Sequence, residues 1–131
     1  EGLLKVASVV LLLLFIVLLT GVTKEWVGRL RPSADESLNT LIRIIKGSEG
    51  FSFFSGHSSF SFALTTMVVL FLKEKVKWIW AFYLWPIFLA FSRIYVGVHY
   101  PIDLITGAVV GILSAQLFYA IYTKFIAPYS V

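Results

Sequence analysis

Long apolar runs set the pattern of this chain, and its charged residues gather in short clusters between them. An uncharged run of about 18 residues or more can cross the hydrocarbon core of a bilayer as a helix. Val6 to Thr23 is the first such run, with Lys5 placed to snorkel at its edge. Ser55 to Leu72 is the second. Trp78 to Val98 is the third if Arg93 is tolerated, and Trp78 and Trp80 at its start suit an interfacial aromatic belt. Leu104 to Thr123 is the fourth. The pattern predicts an all-α fold, a polytopic membrane helix bundle with four transmembrane helices in a single unit over residues 1–131.

The connections are more polar. A loop of about thirty residues joins the first two spans. Within it, LNTLIRIIK (38–46) puts Leu38, Leu41, Ile42 and Ile45 at helical spacing, with Arg43 and Lys46 elsewhere. That spacing predicts a short helix, either lying in the membrane interface or packed on the protein. Gly47 and Gly50 then break the chain, and KEKVK (73–77) forms a tight basic turn. Pro86 predicts a kink in the third span. Gly107, Gly111 and Ala115 form a ridge of small residues on the fourth, suited to internal helix packing more than to a dimer face.

Composition agrees with the pattern. Of 131 residues, 59% are hydrophobic and only 14% charged, with a mean hydropathy of +0.90. A soluble domain carries about 25% charged residues. The net charge of +4 does not point to nucleic acid, because the Lys and Arg sit between apolar spans, where they meet headgroups or an anionic ligand. Cysteine is absent, which removes disulfides and thiolate metal sites. Two histidines 42 residues apart, without HExxH or a carboxylate cluster, give no metal site, and no glycine-rich nucleotide loop is present.

Four crossings place KEWVGRLRP (24–32), FSGHSS (54–59) and SRIYVGVHYPID (92–103) on one side of the membrane. Five basic residues lie on the opposite side (Lys5, Lys73, Lys75, Lys77, Lys124), against six on the motif side (Lys24, Arg29, Arg31, Arg43, Lys46, Arg93). Setting aside Lys24, Arg31 and Arg93 as ligand-binding leaves five against three. The positive-inside rule then expects a cytoplasmic KEKVK turn and an extracytoplasmic site.

Each cluster carries its own chemistry. Lys24 and Arg31 are seven residues apart, so on a continuous helix they share one stripe two turns apart, with Arg29 on another face. Two such cations can clamp a phosphate, or simply meet headgroups. Ser55, Gly56 and His57 stand where the second span begins, and free backbone N–H groups with the helix dipole favour an anion there. Gly56 permits close approach of a ligand, and His57 can protonate a leaving oxygen; an N-cap serine with an interfacial histidine is the plainer alternative. His99 and Asp103 are four apart, with Pro101 at the expected first turn of span four. A carboxylate holding one imidazole nitrogen leaves the other as a nucleophile, and Arg93 can join the anion clamp. A buried Arg93–Asp103 ion pair beside a bystander histidine fits the same residues.

Together the three clusters resemble the signatures of the type-2 phosphatidic acid phosphatase superfamily, which includes vanadium-dependent haloperoxidases. KEWVGRLRP matches Lys, six residues, Arg-Pro, and SRIYVGVHYPID matches Ser-Arg, five residues, His, three residues, Asp. FSGH matches Pro-Ser-Gly-His with Phe54 in place of Pro. The resemblance covers residues 24–103. It implies that His99 attacks phosphorus, oriented by Asp103, and that His57 protonates the leaving group. Lys24, Arg31 and Arg93, with Ser55 and the Gly56 backbone, would hold the phosphoryl oxygens without metal or other cofactor. The implied activity is hydrolysis of a membrane lipid phosphate: phosphatidylglycerol phosphate, phosphatidic acid, undecaprenyl diphosphate or lipid A 1-phosphate. A bacterial inner membrane is the expected location. Members of the family usually have six spans, so two further N-terminal helices are expected, or a homodimer in their place. A non-catalytic lipid-phosphate scaffold and a small transporter subunit are the alternatives. The first would lack a nucleophile or acid, and the second would spread its charges along a pore.

Overall fold

In the computed structural model, which describes residues 1–45, 47 and 49–129, the chain folds into four α-helices. Helix α1 runs Gly2–Val27, α2 Gly56–Leu72, α3 Leu84–Val96 and α4 Pro101–Ile121. A 3-10 segment, Ile79–Tyr83, leads into α3, and a π turn, Tyr122–Ile126, follows α4. Among the described residues, three helical stretches are long and apolar enough to cross a membrane: Gly2–Val27, Ile79–Val96 and Pro101–Tyr129. Helix α2, at 17 residues, is the short one. The all-α membrane bundle expected from the apolar runs is the fold observed.

Helix α2 is the centre of the bundle, and its composition explains why. Ser58, Ser59, Ser61, Ala63, Thr65 and Thr66 are all buried, and small side chains let neighbouring backbones approach closely. Gly107 and Gly111 of α4 meet this face. A Cβ on Gly107 would lie 2.7 Å from the Ser55 carbonyl oxygen. One on Gly111 would lie 2.9 Å from the Ala63 nitrogen and closer still to the Ser59 carbonyl oxygen. The glycine ridge therefore serves internal packing. Ser58 Oγ donates to the Leu104 carbonyl at 2.7 Å, Thr20 and Ser59 hydroxyls meet at 3.3 Å, and Thr66 and Tyr83 hydroxyls at 2.7 Å. Helix α1 buries Ser8, Leu12, Ile16 and Thr20, every fourth residue, and turns large apolar side chains such as Leu11, Leu14 and Leu18 outward. Leu12 and Ile16 close on Ala63, Met67 and Ala115 to form the core.

Two expectations change. Residues 38–45 form turns and bends, with Leu41 and Ile42 N–H groups both donating to the Leu38 carbonyl, instead of a helix. Lys46 lies outside the described residues. Pro86 lies within the helical stretch Ile79–Val96, two residues after the change from 3-10 to α at Leu84. Span three also ends earlier than expected, at Val96, because Gly97 adopts φ 82°.

Candidate active site

Lys24 occupies the last turn of α1. The helix stops there because Gly28 takes a left-handed φ of 63° and its N–H returns to the Lys24 carbonyl at 2.9 Å. Arg29 and Arg31 are consequently off the helix, so Lys24 and Arg31 do not share a helical stripe. The chain after Gly28 is pinned instead to the stretch before α2. Leu30 pairs with Phe51, Ser52 N–H donates to the Arg29 carbonyl at 2.8 Å, and Arg31 Nε donates to the Glu49 carbonyl at 3.1 Å. This fold-back carries Arg31 inward to a buried position.

His99 and Asp103 flank the start of α4. Asp103 is fully buried in the first turn, where the helix dipole favours its charge. Its Oδ2 accepts the Tyr100 N–H at 2.9 Å and lies 3.4 Å from His99 Nδ1, while its Oδ1 meets Arg29 Nη2. On the other side of the ring, His99 Nε2 lies 3.3 Å from Arg31 Nη1. A carboxylate only accepts and a guanidinium only donates. Both neighbours thus demand one tautomer, with the proton on Nδ1 and the lone pair on Nε2. Burial pushes the His99 pKa below its usual value, the Asp103 contact opposes that shift, and the Arg31 charge adds to it. A neutral, oriented imidazole results.

The start of α2 completes the arrangement. Ser55 is the N-cap: its hydroxyl accepts the Ser58 N–H at 3.2 Å, and its own N–H donates to the Asp103 carbonyl at 3.0 Å. Its side chain is fully buried. Gly56 and His57 follow in the first turn, with backbone N–H groups that find no acceptor within the helix. A Cβ on Gly56 would meet only Thr20 Cγ2, at an ordinary 3.5 Å, so the space above it is open to a ligand.

Lys24, Arg31, Gly56, His57 and His99 line a single cavity of about 620 Å³. The Lys24 ammonium and the His57 ring have no hydrogen-bond partner among the described residues. The remaining wall is mostly apolar, with Ile16, Val17, Phe60, Trp85 and Leu89 along α1, α2 and α3, beside Thr20, Gly21 and Ser61. The cavity is cationic at one end and mainly apolar along its flank.

The family model for the PAP2 superfamily matches residues 5–127. The chain belongs to the PAP2 superfamily. A lipid A 4'-phosphatase of Bacteroides thetaiotaomicron is 38% identical over 105 residues, 77% of this chain and 46% of that protein. An undecaprenyl-diphosphatase of Sulfolobus acidocaldarius is 30% identical over 106 residues, 77% of this chain and 49% of that protein. The crystal structure of a transmembrane PAP2 type phosphatidylglycerolphosphate phosphatase from Bacillus subtilis superposes with a TM-score of 0.72 at 27% identity. It covers 95% of this chain and 60% of that one. The chain spans about half the length of the curated relatives it matches.

Within this PAP2 chain the three signatures meet, but not every residue expected to bind phosphate faces the cavity. Arg93, in the last turn of α3, donates through Nε to Ser92 Oγ at 3.2 Å and lies outside the cavity lining. The expected alternative, an Arg93–Asp103 pair, is not formed: the partner of Asp103 is Arg29. Ser55 also stays outside the lining, engaged in capping. Arg29 is the residue that sequence reasoning passed over. The signal was Gly28, a left-handed stop that invalidates any helical wheel drawn through residue 29. No cluster of three or more metal-ligating side chains occurs among the described residues.

Proposed function

We propose that the protein is a lipid phosphate phosphatase working through a phosphohistidine. The observation that carries this reading is His99, held at Nδ1 by Asp103 and lining a cavity with Lys24, Arg31 and His57. The Nε2 lone pair attacks phosphorus as the bond to the lipid oxygen breaks, and His57 gives that oxygen a proton. Water then attacks the phosphohistidine, His57 takes its proton, and phosphate leaves with His99 restored. Lys24, Arg31 and the first-turn N–H groups of α2 stabilise the non-bridging oxygens. In this scheme the cations and helix terminus supply the positive field, so no metal is required. Ser55 contributes by fixing the start of α2, and Arg93 by adding positive potential at the rim.

The apolar flank of the cavity supports a lipid substrate. Phosphatidylglycerol phosphate, phosphatidic acid, undecaprenyl diphosphate and lipid A are the candidates, and the 38% identity to a lipid A 4'-phosphatase supports trying lipid A first. We place the site on the extracytoplasmic face of a bacterial inner membrane, from the basic KEKVK turn at the opposite end of the bundle. The test is phosphate release from each of the four lipids by the detergent-solubilised protein in EDTA, beside His99→Ala. Release that survives EDTA and disappears in the variant is expected. Release abolished by EDTA, or retained by His99→Ala, refutes the mechanism.

A further inference from the structure

Arg29 is the charged residue at this site for which the proposed mechanism has no use. It does not line the cavity, yet it is held from four directions. Its Nη2 contacts Asp103 Oδ1, and its Nε donates to Ser52 Oγ at 3.2 Å. Its guanidinium lies 5.2 Å from the Phe53 ring centroid and 4.9 Å from that of Tyr100. Ser52 is itself fully buried and returns a backbone bond to the Arg29 carbonyl at 2.8 Å.

We infer that Arg29 is a positioning residue for phosphoryl transfer, acting on His99 through Asp103. A carboxylate turns about a soft terminal torsion. The Tyr100 N–H fixes only Oδ2, the same oxygen that faces His99 Nδ1. Arg29 fixes the other oxygen, so the carboxylate is held at two points and the ring it orients keeps Nε2 towards the cavity. The same contact supplies the cation that a fully buried carboxylate needs. Two flanking rings and the Ser52 hydroxyl set the plane of the guanidinium, which a lysine cannot reproduce because its ammonium is a point charge without a plane. This role rests on the phosphohistidine reading.

The test is a double-mutant cycle on the full chain in detergent, with Arg29→Gln, Arg29→Lys, Asp103→Asn and the Arg29→Gln/Asp103→Asn pair. Phosphate release is followed on whichever of phosphatidic acid, phosphatidylglycerol phosphate, undecaprenyl diphosphate and lipid A the wild-type protein turns over fastest. Arg29→Gln should lower kcat about 10–100-fold, as loss of a partner that orients a functional histidine does. KM should stay within about 3-fold, since Arg29 does not touch the substrate. Arg29→Lys should recover only part of kcat. In the Asp103→Asn background, Arg29→Gln should cost less than about 3-fold, because its route to His99 is already broken.

A raised KM with kcat retained makes Arg29 a substrate-binding cation and overturns the inference. So does an equal loss in both backgrounds, or an unchanged Arg29→Gln. Should Arg29→Gln aggregate on gel filtration, Arg29→Lys decides: a loss confined to kcat supports the role, and wild-type turnover refutes it. If the wild-type protein is active and His99→Ala inactive, failure of the Arg29 variants sinks this inference alone. A wild-type protein inactive on all four lipids, or an active His99→Ala, removes the phosphohistidine reading and this role with it.

Discussion

The Ser55 backbone N–H donates to the Asp103 carbonyl oxygen at 3.0 Å, joining the N-cap of α2 to the first turn of α4. Three residues on, Ser58 Oγ donates to the Leu104 carbonyl at 2.7 Å. The helix that carries His57 and the helix that carries Asp103 are therefore locked at their adjoining ends. His57 and Asp103, the proposed acid and orienting group, are thus set relative to each other by one backbone bond and one short serine side chain.

His99→Ala should remove turnover by about a thousandfold or more while the protein stays folded, because His57, the other histidine in the cavity lining, has no carboxylate to orient it as His99 has Asp103. Phosphate release and thermal unfolding of the same preparation check this together. Retention of a tenth of wild-type turnover would end the assignment.

The pH profile follows from the burial of His99. Its pKa lies below the ordinary value, with burial the main cause. The attacking form is neutral, so the acid limb of kcat/KM assigned to His99 should have its midpoint below about 6.5, and the basic limb should report loss of the proton that His57 must carry. The stability sign agrees: between the two pKa values the unfolded chain binds more protons, so stability falls as pH drops through that window. An acid limb centred above 7 would contradict the assignment.

The apolar flank makes a separate prediction. Leu89→Asp puts a charge on the wall along which acyl chains would lie. KM for a long-chain lipid phosphate should rise about tenfold or more, with little change for a water-soluble phosphomonoester. Equal effects on both substrates would show that chains do not lie there.

Packing at α4 can be tested without activity. Gly111→Ala brings a Cβ to 2.9 Å from the Ala63 nitrogen, so α2 and α4 must separate, at a cost of about 1–3 kcal/mol. Gly21→Ala, with nothing within 4 Å of its Cβ, is the control and should be neutral or stabilising. Thermal unfolding in detergent measures both, and an unshifted Gly111→Ala would mean the helices have room to spare.

The apolar run lengths alone determined the helical membrane bundle, since run length against bilayer thickness is a local property. Local spacing also determined the His99–Asp103 pairing, because four residues at the start of a helix bring ring and carboxylate into reach. The Lys24–Arg31 stripe failed for an equally local reason: Gly28 turns left-handed, and a wheel drawn across it has no meaning. The helix expected at 38–46 failed because side-chain periodicity cannot hold a short helix by itself. The choice of Arg29 over Arg93 as the partner of Asp103 was out of reach, since Arg29 and Asp103 are 74 apart in sequence. It rests on Gly107 and Gly111 letting α4 close against α2, while the Leu30–Phe51 pairing folds residues 29–31 back over the helix ends. Sequence set which groups were available, and the close approach of two backbones decided which of them met.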